Sequence, residues 1–387
     1  MSSPKRLYHE LMQMLKPLGK WGRPELRETL ALLMTGIFAS EDVRLNRLAA
    51  RVPLDVKEES VAQRFRRWLK NPRVDVRMIY DPVARQVLAS LRHTRVRIQI
   101  DRSVFDDRFN VLMCSLSFRK RAVPLLWMVL PHEGNATFME KATILTQLAA
   151  LLPSGLAQVI VLGDREFGTP DTMRTIRRQG WDFCLRVKRD QWVFLPDIRQ
   201  WVQLRALAPA PGQRRFLTGL TLTQSNGYGP VNFALACDPN SDDPWLIATN
   251  LPPSPRILRH YARRFGCEEL FADVKGRGFN MEASQLQHPD RFSRLLLAVA
   301  LLVVWTVTVA RRLRVTGRAR SATAPTKPSA TACSNSVSVG SPSNSRMIAH
   351  LCLILASVYG LLPESDRRSG IEVVGRMTKI VATSCLH

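Results

Sequence analysis

Residues 95–101 read RVRIQID, and polar and apolar side chains alternate along them as they do in a strand with one buried face, with an aspartate at the end. Before this stretch the period is helical: in RPELRETLALLMTGIFAS, Leu26, Leu30, Leu33 and Ile37 recur at helical spacing. After it, FNVLMCSLSF and VPLLWMVL are apolar runs joined by RKRA, which predicts a β-hairpin. FMEKATILTQLAALLP reads as a helix ended by Pro153, and QVIVLG as a short buried strand delivering Asp164. TPDTMRTIRRQG is a helix with a glycine stop, and DFCLRVK is another strand. This order predicts an α/β sheet of mixed strand directions. Asp101 and Asp164 are each expected where a buried strand ends, the place where open sheets hold ligands.

Between 190 and 250 the turn-rich segments APAPG, QSNGYGP and DPNSDDP separate the strand-like RRFLTGLTLT, VNFALAC and WLIATNL, which predicts a mostly β insertion. The first 92 residues read as a helical region. Within it VRLNRLAARVPLD and VAQRFRRWLKN have the form of a helix-turn-helix, or of a small bundle with a basic surface. In the first case Arg64, Arg66, Arg67 and Lys70 face DNA while Phe65 and Trp68 pack inward.

The chain has 387 residues and a formal net charge of +24, with a sequence pI near 10.8. So large a basic excess favours a polyanionic partner, because basic faces gain affinity by releasing counterions from phosphates. The seven cysteines are scattered without a CxxC pair, as expected of buried free thiols in a reducing cytoplasm. The N-terminal MSSPKRLYHELMQMLK lacks the apolar core of a signal peptide. LLLAVALLVVWTVTVA, 295–310, is apolar throughout and slightly short for a bilayer span, so a central core helix is expected and no membrane partner.

In YARRFGCEELFADVK, 261–275, Tyr261, Arg264, Glu268 and Lys275 would share an arc of roughly 60° on a continuous α-helix. That stripe is either a solvated ion-pair face or part of a site. Two aspartates at neighbouring strand ends and a glutamate projected from a helix can converge on one point. Three such hard oxygen donors suit two magnesium or manganese ions for phosphoryl transfer.

The spacing of those four residues resembles the YREK signature of insertion-sequence-four-type DDE transposases. The resemblance extends to IQIDRS around Asp101, VIVLGDREFG around Asp164, DFCLRVKRD after it and the hairpin between, and covers residues 25–310. It implies a ribonuclease-H-like catalytic core over 93–310, with 190–250 inserted, behind a DNA-binding domain over 1–92. It implies Asp101, Asp164 and Glu268 as the metal-binding triad, with Tyr261, Arg264 and Lys275 on DNA near the cleaved end. The reaction implied is cleavage at the terminal inverted repeats of a mobile element and transfer into target DNA, by a homodimer on the bacterial nucleoid in the cytoplasm. Lys188, after a strand, could also face a phosphate. Some relatives hold a flipped base with a tryptophan, for which Trp192, Trp201 and Trp245 are candidates, with core packing the expected role of each. The tail 311–387 departs from the family: it is rich in Ser, Thr, Ala and Pro where Leu- and Arg-rich helix is expected, as a frameshift would leave it. A remnant that only binds DNA is the alternative reading.

Overall fold

The computed structural model describes residues 3–18, 23–91, 93–118, 121–225 and 227–321. Of the tail 311–387, residues up to Ser321 continue a helix, and the stretch from 322 onward, with its second apolar run, lies outside the described residues. The chain divides into two compact units. One takes Met1–Asn71, Ala272–Gln285 and the described residues from Leu296 on; the other takes Pro72–Phe271 and Leu286–Leu295.

In the first unit α1 (Ser3–Leu15), α2 (Pro24–Ser40), α3 (Leu45–Ala49) and α4 (Glu58–Lys70) pack on one another. Helix α4 starts with Glu58 and Glu59 in its first turn and has Arg67 and Lys70 in its last, a distribution that suits the helix dipole. Its inward residues are those expected. Phe65 and Trp68 are buried, and the Trp68 indole donates to the Leu26 carbonyl at 2.9 Å.

The second unit is built on one ten-stranded sheet with the order β3-β2-β1-β4-β5-β10-β9-β8-β6-β7. Its strands are β1 (Arg95–Phe105), β2 (Phe109–Phe118), β3 (Arg121–Leu130), β4 (Gln158–Gly163), β5 (Asp182–Arg186), β6 (Trp192–Leu195), β7 (Gln200–Gln203), β8 (Arg214–Leu222), β9 (Tyr228–Ala236) and β10 (Trp245–Thr249). The pairs β1–β4 and β4–β5 are parallel, and the others antiparallel. The parallel pairs need helical crossovers. These are α6 (Phe138–Leu151), whose entry is a capping box between Thr137 and Glu140, and α7 (Pro170–Arg178), capped by Thr169 with proline at its first position. Helix α5 (Val76–Ala89) packs on β3, and the Tyr80 hydroxyl donates to the Pro124 carbonyl at 2.7 Å.

Three expectations need correction. β1 does not end at Asp101: β2 stays paired with it as far as Phe105 opposite Phe109, and only the β4 neighbour stops at Ile100 opposite Gly163. Two short strands inside 190–250, β6 and β7, were not expected, and the inserted strands extend the central sheet because β10 pairs with β5. Nor is 261–275 one helix. It runs as α8 (Pro255–Tyr261), a 3₁₀ turn (Ala262–Arg264), α9 (Phe265–Ala272) and a π turn (Asp273–Arg277), and passes from one unit to the other at Ala272. The tighter and wider turns break the uniform 100° step on which the shared stripe depended.

Helix α10 (Pro289–Ser321) is long and apolar enough to cross a membrane over Pro289–Val309, and Leu295 through Leu302 are buried within the protein, as a core helix requires. Within the sheet unit, Phe292 stacks on Phe109 at 4.2 Å between ring centroids.

Gly168 fixes how closely the turn after β4 approaches β5: a Cβ there would run into the Arg186 carbonyl. Gly168→Ala is expected to lower the unfolding free energy by about 2 kcal/mol or more, the cost of overpacking against backbone. Gly276→Ala, whose Cβ meets nothing, should stay within about 0.5 kcal/mol of the parent. Urea denaturation of the two variants side by side checks this.

Candidate active site

The register of β1 on β4 places Asp101 and Asp164 one residue beyond the last matched pair, Ile100 and Gly163, on neighbouring strands. Asp101 is buried at 7% exposure. Its Oδ1 accepts the Arg102 backbone N–H at 2.9 Å, and its Oδ2 lies 3.5 Å from Nη1 of Arg264. Arg264 comes from the 3₁₀ turn above the strand and is itself buried. Its Nη2 donates to Glu268 at 2.5 Å and its Nε to the Tyr261 hydroxyl at 3.2 Å, while its guanidinium lies 5.0 Å from the Phe265 ring centroid. Glu268 is half exposed. One guanidinium therefore bridges a buried aspartate from the start of the sheet unit and a glutamate from its far end.

Two features bring the helix down to this depth. Gln99, buried two residues before Asp101 on the same strand face, donates its amide to the Arg263 carbonyl and accepts from Ser115 at 3.1 Å. Gly266 sits where a Cβ would come within 3.1 Å of the Gln99 amide nitrogen and 3.0 Å of the Arg121 backbone carbon. A side chain there would be held to tight contacts, so glycine lets the helix approach this closely without its neighbours giving way.

Asp164 opens a tight turn. Its Oδ1 accepts the Glu166 N–H at 2.9 Å, and its carbonyl accepts from Phe167 at 3.1 Å. Glu166 then ties the two aspartate segments together, since it accepts from Arg102 Nε at 2.8 Å and from the Ala136 N–H at 2.8 Å. Lys141 donates to the Glu166 carbonyl at 2.9 Å. Sequence reasoning did not single out Arg102, Glu166 or Lys141; adjacency to the two aspartates was the available signal for the first two.

Burial lifts the Asp101 carboxyl to about 7 against the pull of Arg264, with the charges of Asp164 and Glu268 adding to the rise. Burial alone would lower Arg264, but Tyr261, Glu268 and Asp101 outweigh it and hold the guanidinium above its ordinary value. Three carboxylates whose charges reach one another form an oxygen-only donor set that fits a hard divalent cation. Among the described residues, no three His, Cys, Asp or Glu side chains gather closely enough to ligate one ion. The donor chemistry thus fits, and the spacing is that of carboxylates arranged about a guanidinium.

The other predicted residues are dispersed. Lys275 belongs to the helical unit and stands 3.8 Å from Glu282. On α4, Arg67 and Lys70 are exposed, whereas Arg64 donates to Thr29 at 2.8 Å, and Arg66 pairs with Glu59 at 2.8 Å. Lys188 lines an open cleft of about 370 Å³ with Arg165, Arg189, Asp190 and Arg205. Trp245 packs edge-on against Tyr261, Trp201 lies tilted against Phe194, and Trp192 is 39% exposed. His132 bonds Glu140 at 2.9 Å. His260 is buried, and its Nδ1 accepts from Arg97 Nε at 2.9 Å. The cysteines at 114, 184, 237 and 267 are free and buried.

The family model for the transposase DDE domain matches residues 110–305. That segment contains Asp164 and Glu268 and begins after Asp101. No curated protein matches the chain. Among solved structures, the chain is similar to a piggyBac transposase in a synaptic complex with hairpin DNA, determined by cryo-EM. The identity is 11% over 96% of this chain and 84% of that one, with a TM-score of 0.47.

Arg264→Met should lower stability by about 3 kcal/mol in urea denaturation without divalent cations, since it leaves a buried carboxylate without its partner. A second expectation concerns acid. Burial and then Arg97, Arg95, Arg256 and Arg263 depress His260 from 6.5 to about 4. The unfolded chain then binds the proton more readily, so this contribution is complete above pH 6.5 and is lost as the pH falls from 6.5 towards 4. Urea midpoints at pH 7.5 and 4.5 should therefore fall further for the parent than for His260→Gln.

Proposed function

The chain belongs to the transposase DDE domain family and is a DDE transposase, and from that premise we propose that Asp101, Asp164 and Glu268 are its catalytic carboxylates. Its reaction is cleavage of DNA at the inverted-repeat ends of an insertion-sequence-four-type element, followed by strand transfer into target DNA. The observation that carries the assignment is the single Arg264 guanidinium bonded to both Asp101 and Glu268, with Asp164 directly after the end of the adjacent strand. Asp101 stands ahead of the segment the family model matches, so its inclusion rests on this geometry.

Asp101, Asp164 and Glu268 would hold two magnesium or manganese ions, which when bound activate the attacking oxygen and stabilise the leaving one. The chain's own part is positional. The Glu166 bridge from Arg102 to the Ala136 N–H fixes the separation of the two aspartate segments. Arg264, already charged and buried, offers a phosphate a donor fork whose orientation is set by Tyr261. Tyr261, Arg264 and Lys275 contact DNA near the cleaved bond, and Lys188 meets a phosphate in the basic cleft. Arg64, Arg67 and Lys70 on α4 bind the element end, in a ribonuclease-H-like enzyme that works as a homodimer because two ends must be joined.

A magnesium-dependent strand-cleavage assay on a duplex carrying one end of the element tests the reading. Asp101→Asn, Asp164→Asn and Glu268→Gln should each reduce the cleavage rate by on the order of 10³-fold or more while still binding the duplex. Cutting by any of the three at the parent rate removes that residue from the catalytic set.

A further inference from the structure

Helix α8 and the turn after it carry a second feature that the catalytic set does not use. Ile257, Leu258 and Tyr261 face the core, packed with Ile160, Leu162 and Cys184. Arg256 and Arg259 fall on the opposite side of α8 within an arc of roughly 60°, Arg263 follows in the 3₁₀ turn, and all three are exposed. The sheet continues this row. Arg95 and Arg97 lie on the face of β1 that also carries Gln99 and Asp101, and Arg97 donates to the buried His260 between them and the helix. His260 is held neutral there, so it adds no repulsion, and as an acceptor it neutralises none of the cations.

Arg97, Arg95, Arg256 and Arg263 thus all act on one uncharged ring, with Arg259 beside it in the chain. Arg95 donates to Gln158, whose amide in turn donates to Asp182 at 2.6 Å, and Asp182 lies 3.3 Å from Arg177. Like charges gathered this way repel one another, and a polyanion laid along them releases counterions and relieves the repulsion. The row also has a direction. From Arg95 to Asp101 along β1 is about 20 Å, and from Arg256 to Glu268 along the helical path is about 18 Å. Either distance corresponds to about half a turn of duplex DNA.

We infer that Arg95, Arg97, Arg256, Arg259 and Arg263 form a phosphate track that holds the backbone of the element-end duplex, its outer end about half a turn from the bond being cut. This rests on the catalytic reading for the position of that bond. The contacts are to phosphates, so the track contributes affinity and orientation and reads no bases.

Fluorescence anisotropy in EDTA, with a labelled element-end duplex, tests the track without requiring catalysis, so its failure is distinct from failure of the catalytic assignment. The double variant Arg256→Gln, Arg259→Gln should bind about tenfold more weakly at 0.1 M salt, and the slope of log Kd against log salt should fall by about two. A charge-matched control, Arg85→Gln with Arg178→Gln on exposed positions of α5 and α7, should change affinity less than about twofold. Trimming the duplex to within four base pairs of the cleaved bond should erase the difference between parent and track variant. Unchanged affinity and slope in the track variant, or an equal loss in the control, overturns the proposal. Weakened capture of a second, unrelated duplex with element-end binding intact also overturns it, by moving the track to target DNA.

Discussion

The Arg264 guanidinium is the point on which the arrangement of the site depends. It is buried beside a buried carboxylate, and a charge in that position is tolerated only when it is paired and hydrogen-bonded. Asp101, Glu268 and the Tyr261 hydroxyl each take one of its donors, and the Phe265 ring lies against the guanidinium. This requirement reaches into the backbone. The helix must come down far enough for Arg264 to touch the sheet, which is why Gly266 and the Gln99 amide lie beneath it. A 3₁₀ turn supplies the local change of pitch that points Arg264 inward while Glu268, one turn later, remains half in solvent.

Around that hub the two aspartate segments are held by a separate set of polar contacts. Glu166 links Arg102 to the Ala136 N–H, and Lys141 secures the Glu166 carbonyl from α6. The carboxylates are therefore supported from two directions, by the helix above the strand face and by the turn after β4. With both supports in place, the separation of Asp101 from Asp164 follows from strand register and needs no bond between them.

Much of this could be read from sequence because strands and hairpins announce themselves by period. The β1 alternation, the β2–β3 hairpin and the QVIVLG strand all stand where that period puts them. The short β6 and β7 could not be seen: four residues are too few to establish alternation, and WVFL is a continuous apolar run. The break in 261–275 was hidden for a different reason. Its residues are compatible with one α-helix, and the departures from α pitch come with tertiary contacts to Gln99 and Asp101 that no local pattern encodes. The same holds for Arg102 and Glu166, whose partnership joins positions far apart in the chain. Membership of 190–250 in the central sheet likewise depends on β10 returning to β5, a pairing across more than fifty residues.

That return has a consequence for how such a chain can change over time. Because β10 covers the flank of β5, the inserted strands are a continuation of the sheet and not an appendage to it. An ancestor or shortened descendant without them would expose a row of unpaired N–H and C=O groups along β5, a template for association with other chains. Loss of the insertion would therefore have to be accompanied by something that blunts that margin, such as a proline or an inward-pointing charge on β5. Length variation is more readily accommodated farther out, at the tips of the β8–β9 and β6–β7 hairpins, where added residues disturb no strand on either side of the carboxylates.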